Sequence, residues 1–157
     1  MRLKGFDYGT EGAYFITICA KDMRHVFGEV RRVRRDEGIA PYMELSFIGL
    51  VCEKYIKRIP TLKYVIMPNH IHIIIINNQR EANAAPQNAV IPRTIRSFKI
   101  LVTKEPGFSP WQRSYHDHII RNEADYLRIW KYIDENPLKW ELDKYYAGRD
   151  AHIAPNT

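Results

Sequence analysis

His70 and His72 lie two residues apart in Met67-Pro68-Asn69-His70-Ile71-His72, and the apolar run Ile73-Ile74-Ile75-Ile76 follows at once. Strand side chains alternate between faces, so on a strand the two imidazoles stand side by side. That arrangement suits a divalent cation, because neutral imidazole ligates zinc, manganese, iron or nickel. Packing alone asks for no such pair. The plain alternative is two histidines on an edge strand with no ligand.

A two-histidine site needs further donors. Tyr132 and Asn136 are four apart and share a face if the segment is helical. The amide oxygen of Asn136 can complete a coordination sphere, with Tyr132 one turn away. A phenol attacks once deprotonated, and tyrosine forms covalent intermediates. Its ordinary pKa is about 10, so it needs activation. A divalent cation can polarise a phosphate and neutralise charge on the displaced oxygen. Rival readings stand beside each residue. Tyr132 can be a core aromatic, and with ten tyrosines in the chain Tyr126 and Tyr115 compete as nucleophiles. Tyr126 has Trp130 where the amide would be needed, and Tyr115 falls in a strand. Asn136 can be a helix end set by Pro137. His116 and His118 alternate as well, though a plain surface position or contact with a DNA backbone suits them better than a second metal pair.

These residues must be held by 157 residues, enough for one domain with a real core. We assign residues 1–148 to that domain and 149–157 to a loose tail. Cys19 and Cys52 are expected to be reduced and buried. No apolar run is long enough to span a membrane, and Met1-Arg2-Leu3-Lys4-Gly5 lacks the apolar core of a signal peptide. A cytoplasmic location is therefore expected. The net charge of +6 and pI of about 9.3 favour phosphate contact. Arg93, Arg96 and Lys99 share a helical face, and Arg113 and Arg121 follow. Arg31-Arg32-Val33-Arg34-Arg35 can grip a hairpin stem or solvate a loop.

Ala13 to Ala20, rich in β-branched and aromatic residues, reads as a central strand. Val26–Val30 and Tyr42–Leu45 read as hairpin arms around the Arg31–Glu37 cluster. Ser46 caps a helix whose apolar face is Phe47, Leu50, Val51, Tyr55 and Ile59, with Pro60 as its stop. Leu62–Met67 and Ile71–Asn77 are strands joined at Pro68-Asn69. Asn78–Val90 reads as a loop, and Pro92 opens a second helix carrying Ile95, Phe98, Leu101 and Val102. Tyr115–Ile120 is a further strand. Asn122 caps a third helix, and Pro137 disfavours helical geometry at Asn136 and so ends it. The order is that of an α+β, ferredoxin-like fold: an antiparallel sheet with helices on one face, plus an extra C-terminal helix.

The motif around His70 and His72 resembles the histidine-hydrophobe-histidine motif of HUH endonucleases. More narrowly, it is similar to that of single-tyrosine transposases of the REP-associated type. Leu3-Lys4-Gly5-Phe6-Asp7-Tyr8, Tyr14-Phe15-Ile16-Thr17-Ile18-Cys19, Trp111-Gln112-Arg113-Ser114-Tyr115-His116-Asp117-His118 and Tyr132-Ile133-Asp134-Glu135-Asn136-Pro137 carry the resemblance onward in order. The resemblance implies a metal-dependent endonuclease and strand transferase acting on single-stranded DNA beside a hairpin. Tyr132 would be the nucleophile, left joined to a 5′-phosphate, and the third helix would thus be catalytic. His70, His72 and Asn136 would hold Mg²⁺ or Mn²⁺. Relatives act as monomers or as homodimers that exchange the tyrosine helix, and both states are open here. The alternative is a non-catalytic nucleic-acid-binding domain derived from such a transposase, because this scaffold hosts many functions.

Overall fold

Two strands of this chain are apolar on both faces, which marks them as the middle of a sheet covered from both sides. In the computed structural model, which describes residues 12–36, 38–76, 87–142 and 145, these are β1 (Ala13–Cys19) and β5 (His70–Ile76). They pair antiparallel, with Thr17 opposite His72 and Cys19 opposite His70. Outside them lie β4 (Thr61–Ile66) and β6 (His116–Ile120), giving the order β4-β5-β1-β6. All three pairings are antiparallel, the arrangement expected of a ferredoxin-like sheet. A separate ribbon, β2 (Gly28–Arg35) with β3 (Gly38–Leu45), is inserted before the first helix.

Alternation divides the core. Ile16, Ile18, Ile71, Ile73 and Ile75 face α1 (Phe47–Ile56) and α2 (Gln87–Lys104), meeting Val51, Ile56, Ile95 and Phe98. Ala13, Ile74 and Ile120 face the other way, against Tyr126, Ile129 and Ile133 of α3 (Glu123–Glu135). The extra helix therefore covers the sheet face that α1 and α2 leave open. The same face carries His70, His72 and Thr17.

Four expectations are corrected. The Arg31–Arg35 cluster is strand and not loop: β2 runs through it to a reversal at Gly38, whose φ of 118° suits glycine. Its charges are tolerated because Arg31 bonds Glu44 across the ribbon at 2.7 Å and Arg32 bonds Glu141 at 2.6 Å. Second, α2 begins at Gln87, so residues 87–90 of the expected loop are helical and Pro92 lies inside the helix. Residues 77–86 of that loop, and the tail from 149, lie outside the described residues. Third, α1 ends at Ile56 and is rotated: Phe47 and Leu50 are exposed while Gly49, Val51, Cys52 and Ile56 are buried. Fourth, Asn136 keeps helical dihedrals (φ −57°, ψ −48°) directly before Pro137. The αR region is disfavoured before proline but not forbidden. This keeps Asn136 in helical register with Tyr132.

The caps hold as expected. Ser46 accepts from Gly49 N at 3.1 Å, and Asn122 accepts from Asp125 N at 2.8 Å. Cys19 and Cys52 are buried and form no disulfide among the described residues; burial pushes the Cys52 thiol pKa well up. Among the described residues no helix is long and apolar enough to cross a membrane.

Candidate active site

The turn into β5 places the first imidazole. Asn69 is fully buried, and its Nδ2 donates to the Tyr145 carbonyl at 2.7 Å, with the Met23 carbonyl at 3.5 Å. Two carbonyls on that side fix the amide so that Oδ1 turns to His70 Nδ1, 2.8 Å away. An amide oxygen only accepts, so Nδ1 carries the proton and the lone pair sits on Nε2. His72 Nδ1 bonds Thr17 Oγ1 at 2.8 Å, across the β1–β5 register. The two rings stand 4.5 Å apart between centroids, and both Nε2 atoms are buried.

Helix α3 brings the other half. Tyr126, Ile129 and Ile133 form its buried stripe, which turns Tyr132 to the stripe's edge. Tyr132 is 37% exposed, and its ring lies 5.2 Å from that of His72 and 6.2 Å from that of Phe15. One turn on, Asn136 is buried, and its Nδ2 donates to the Tyr132 carbonyl at 3.3 Å. Its Oδ1 is also buried and has no hydrogen-bond partner among the described residues. A buried acceptor left unpaired costs about 1–3 kcal/mol. Two imidazole nitrogens and an amide oxygen, with this acceptor unmet, fit a divalent cation. Among the described residues no group of three or more His, Cys, Asp or Glu forms, so the amide is needed to make a third protein donor.

The surroundings hold residues that sequence reasoning missed. Phe15 stacks on His72 at 5.1 Å, and Tyr145 lies over His70 at 4.4 Å with Trp140 at 5.9 Å. Thr17 had a signal, being the one aliphatic hydroxyl in an apolar strand. Trp140 and Tyr145 had none, since they follow α3 in a stretch without periodicity.

The rival tyrosines stand elsewhere. Tyr126 is buried in the core beneath α3, and Tyr115 packs on the α1–α2 side. His116 and His118 are exposed on the edge strand, and His118 Nε2 meets Asp125 at 2.6 Å. The five basic residues do not converge on one surface. Arg93 and Arg96 are exposed on α2, across the sheet from the histidines. Lys99 is half-buried, which pushes its pKa down, and it donates to the carbonyls of Gln112 (3.1 Å) and Ser114 (2.6 Å). Arg113 lines a cleft beside Trp111, and Arg121 is exposed between β6 and α3.

No protein-family model matches the chain. An uncharacterised protein of Haemophilus influenzae is 36% identical over 173 aligned residues, spanning 94% of the chain and 92% of that protein. A second protein of that organism, named "Putative REP-associated tyrosine transposase", is 25% identical over 168 residues, spanning 95% of the chain and 88% of its own length. Among solved structures, a REP-associated tyrosine transposase bound to a REP hairpin is 21% identical. It superposes with a TM-score of 0.52 over 92% of this chain and 75% of that one, and so shares the fold. The chain is thus similar in sequence to a relative named as a REP-associated tyrosine transposase and shares the fold of a solved one.

Proposed function

We propose that the protein is a metal-dependent single-stranded DNA endonuclease and strand transferase acting on hairpin-bearing DNA through a 5′-phosphotyrosine. One observation carries this reading: Tyr132 stands beside a buried histidine pair, with the unmet Asn136 oxygen one turn further along its own helix. A relative named for the same activity and a fold relative bound to a REP hairpin support it.

His70, His72 and Asn136 would hold Mg²⁺ or Mn²⁺, which when bound would supply Lewis-acid polarisation of the scissile phosphate and charge neutralisation at the displaced oxygen. Asn69 sets the tautomer of His70, and Thr17 fixes the ring of His72. Such supporting bonds orient a ligand and tune its basicity. The Tyr132 oxygen attacks phosphorus and gives its proton to water. The bond from phosphorus to the 3′ oxygen breaks, and that oxygen leaves as a 3′-hydroxyl after taking a proton from water. One phosphoester replaces another, so the hydroxyl can later attack the phosphotyrosine and rejoin strands without an external energy source. Tyr132 approaches His72 of its own chain, which supports a centre assembled within one copy. The +6 charge favours attraction of the DNA backbone.

The reading is tested by titrating Mn²⁺ into wild type, His70→Ala and His72→Ala, and incubating each with hairpin-bearing single strands. Metal-dependent cleavage in wild type and its loss in both variants are expected. Equal cleavage in all three, or cleavage unaffected by a chelator, overturns the metal role. Binding without cleavage in wild type overturns the enzymatic reading in favour of a binding domain.

A further inference from the structure

The register of edge strand β6 brings a third histidine into line with the candidate centre. β6 pairs with β1 so that His116 stands opposite Thr17 and His118 opposite Phe15. Residues directly opposite in an antiparallel pair project from the same face. Thr17 bonds His72 and is opposite it on the other side, and Phe15 stacks on His72. One row therefore crosses the sheet: His72 on β5, Thr17 on β1, His116 on β6. His116 is two strand spacings, about 10 Å between Cα atoms, from His72.

Contacts along β6 confirm the face. Ile120, four residues after His116, is buried with Tyr126 and Ile129 of α3, and His118 meets Asp125 of α3 at 2.6 Å. By alternation Tyr115 takes the other face, where it packs on the α1–α2 core. The approach to His116 is held as well. Ser114 has left-handed backbone (φ 67°), and its carbonyl accepts from the Lys99 ammonium of α2 at 2.6 Å. The Gln112 carbonyl accepts from the same ammonium at 3.1 Å. Such backbone persists only where surrounding structure imposes it, and it gathers at ligand sites.

The two β6 histidines are employed differently. His118 is spent on Asp125. His116 is exposed, and among the described residues its ring makes no hydrogen bond or ion pair. An imidazole has an N–H to donate in either protonation state.

Resting on the nicking reading, we propose that His116 is a substrate-contacting residue. It donates to the backbone phosphate next to the scissile one, on a strand that leaves the centre across Thr17 toward the β6 edge. The contact holds the scissile phosphate beside Tyr132 and leaves the metal ligands untouched.

The test uses hairpin-bearing single strands, each with one backbone phosphate replaced by a neutral methylphosphonate. The cleaved position is mapped from the wild-type adduct formed with Mn²⁺. Filter binding in the Tyr132→Phe background then compares His116 with His116→Ala. A methylphosphonate beside the cleaved position should weaken binding about tenfold where His116 is present and have no effect in His116→Ala. Titration calorimetry should give His116→Ala the Mn²⁺ affinity of wild type. A fall in that affinity would mean that His116 acts through Thr17 on the metal site, and it overturns the contact. Equal sensitivity of both proteins at every position overturns it too, as does a lost position more than one nucleotide from the cleaved one, and in these cases the nicking reading stands. If wild type forms no adduct, the nicking reading fails, and the binding series decides alone: a position whose sensitivity disappears in His116→Ala supports the backbone contact, and the absence of one overturns it.

Discussion

The rings of His72 and Tyr132 meet edge-on, with centroids 5.2 Å apart and planes at 61°, one from the central strand β5 and the other from helix α3. Nothing local joins them. The contact exists because α3 buries Tyr126, Ile129 and Ile133 against the face that also carries the histidines.

Asn136 yields the first prediction. Its buried Oδ1 is unmet among the described residues, and its Nδ2 bond to Tyr132 is long at 3.3 Å. Asn136→Leu should therefore leave the metal-free protein within about 1 kcal/mol of wild type, since a weak bond and an unmet acceptor leave together. The rise in Tm on adding Mn²⁺ should vanish. Thermal melts with and without Mn²⁺ read both, and an undiminished metal-induced rise would remove Asn136 from the site.

Thr17 acts through His72. Thr17→Val removes the 2.8 Å bond to Nδ1 while keeping the β-branched shape. Loss of an orienting bond of this kind lowers metal affinity by about 10- to 100-fold. Thr17→Ser should retain most of it. Titration calorimetry with Mn²⁺ distinguishes the two, and equal affinities for Val and wild type would contradict the assigned role.

The start of α3 is predicted to matter for stability more than chemistry. Asn122→Ala removes the cap on Asp125 N and should cost about 1 kcal/mol. Denaturant unfolding measures this, and cleavage well below Tm should be little changed. No loss of stability would mean that the cap is replaced by water at no cost.

Asp125 ties α3 to β6 and gives a pH dependence. Burial works to raise its pKa, but hydrogen bonds and charge from His118 and Arg128 outweigh it, so the carboxyl lies below its ordinary 3.8. A lowered folded-state value means the stabilisation is complete above 3.8 and is lost as the pH falls through the folded value. Both partners are exposed, so it is worth at most about 1 kcal/mol. Wild type and Asp125→Asn should thus differ in Tm at pH 6 and converge in strong acid. A difference that persists unchanged into strong acid would contradict the assignment.

Much of this centre was legible because short-range rules governed it. Period two put His70 and His72 on one face, period 3.6 aligned Tyr132 with Asn136, and Ser46 and Asn122 announced their helices. The arginine ribbon was not legible, because charge reads as solvation until Glu44 and Glu141 are known to lie across from it. Pro92 inside α2 was missed because proline near a helix start marks a beginning more often than an interior. Tyr145 reaches the histidines only through tertiary contact, which no spacing encodes. Asn136 four residues on already favoured Tyr132 over Tyr126, which has Trp130 there, and burial agrees, since only Tyr132 of the two is exposed.

Incubation with Mn²⁺ and hairpin-bearing single strands of randomised sequence, followed by denaturing electrophoresis, tests the nucleophile itself. The account predicts a covalent protein–DNA adduct in wild type that is absent in Tyr132→Phe. An adduct that survives in Tyr132→Phe would contradict it, and one lost instead in Tyr126→Phe would move the chemistry to another tyrosine.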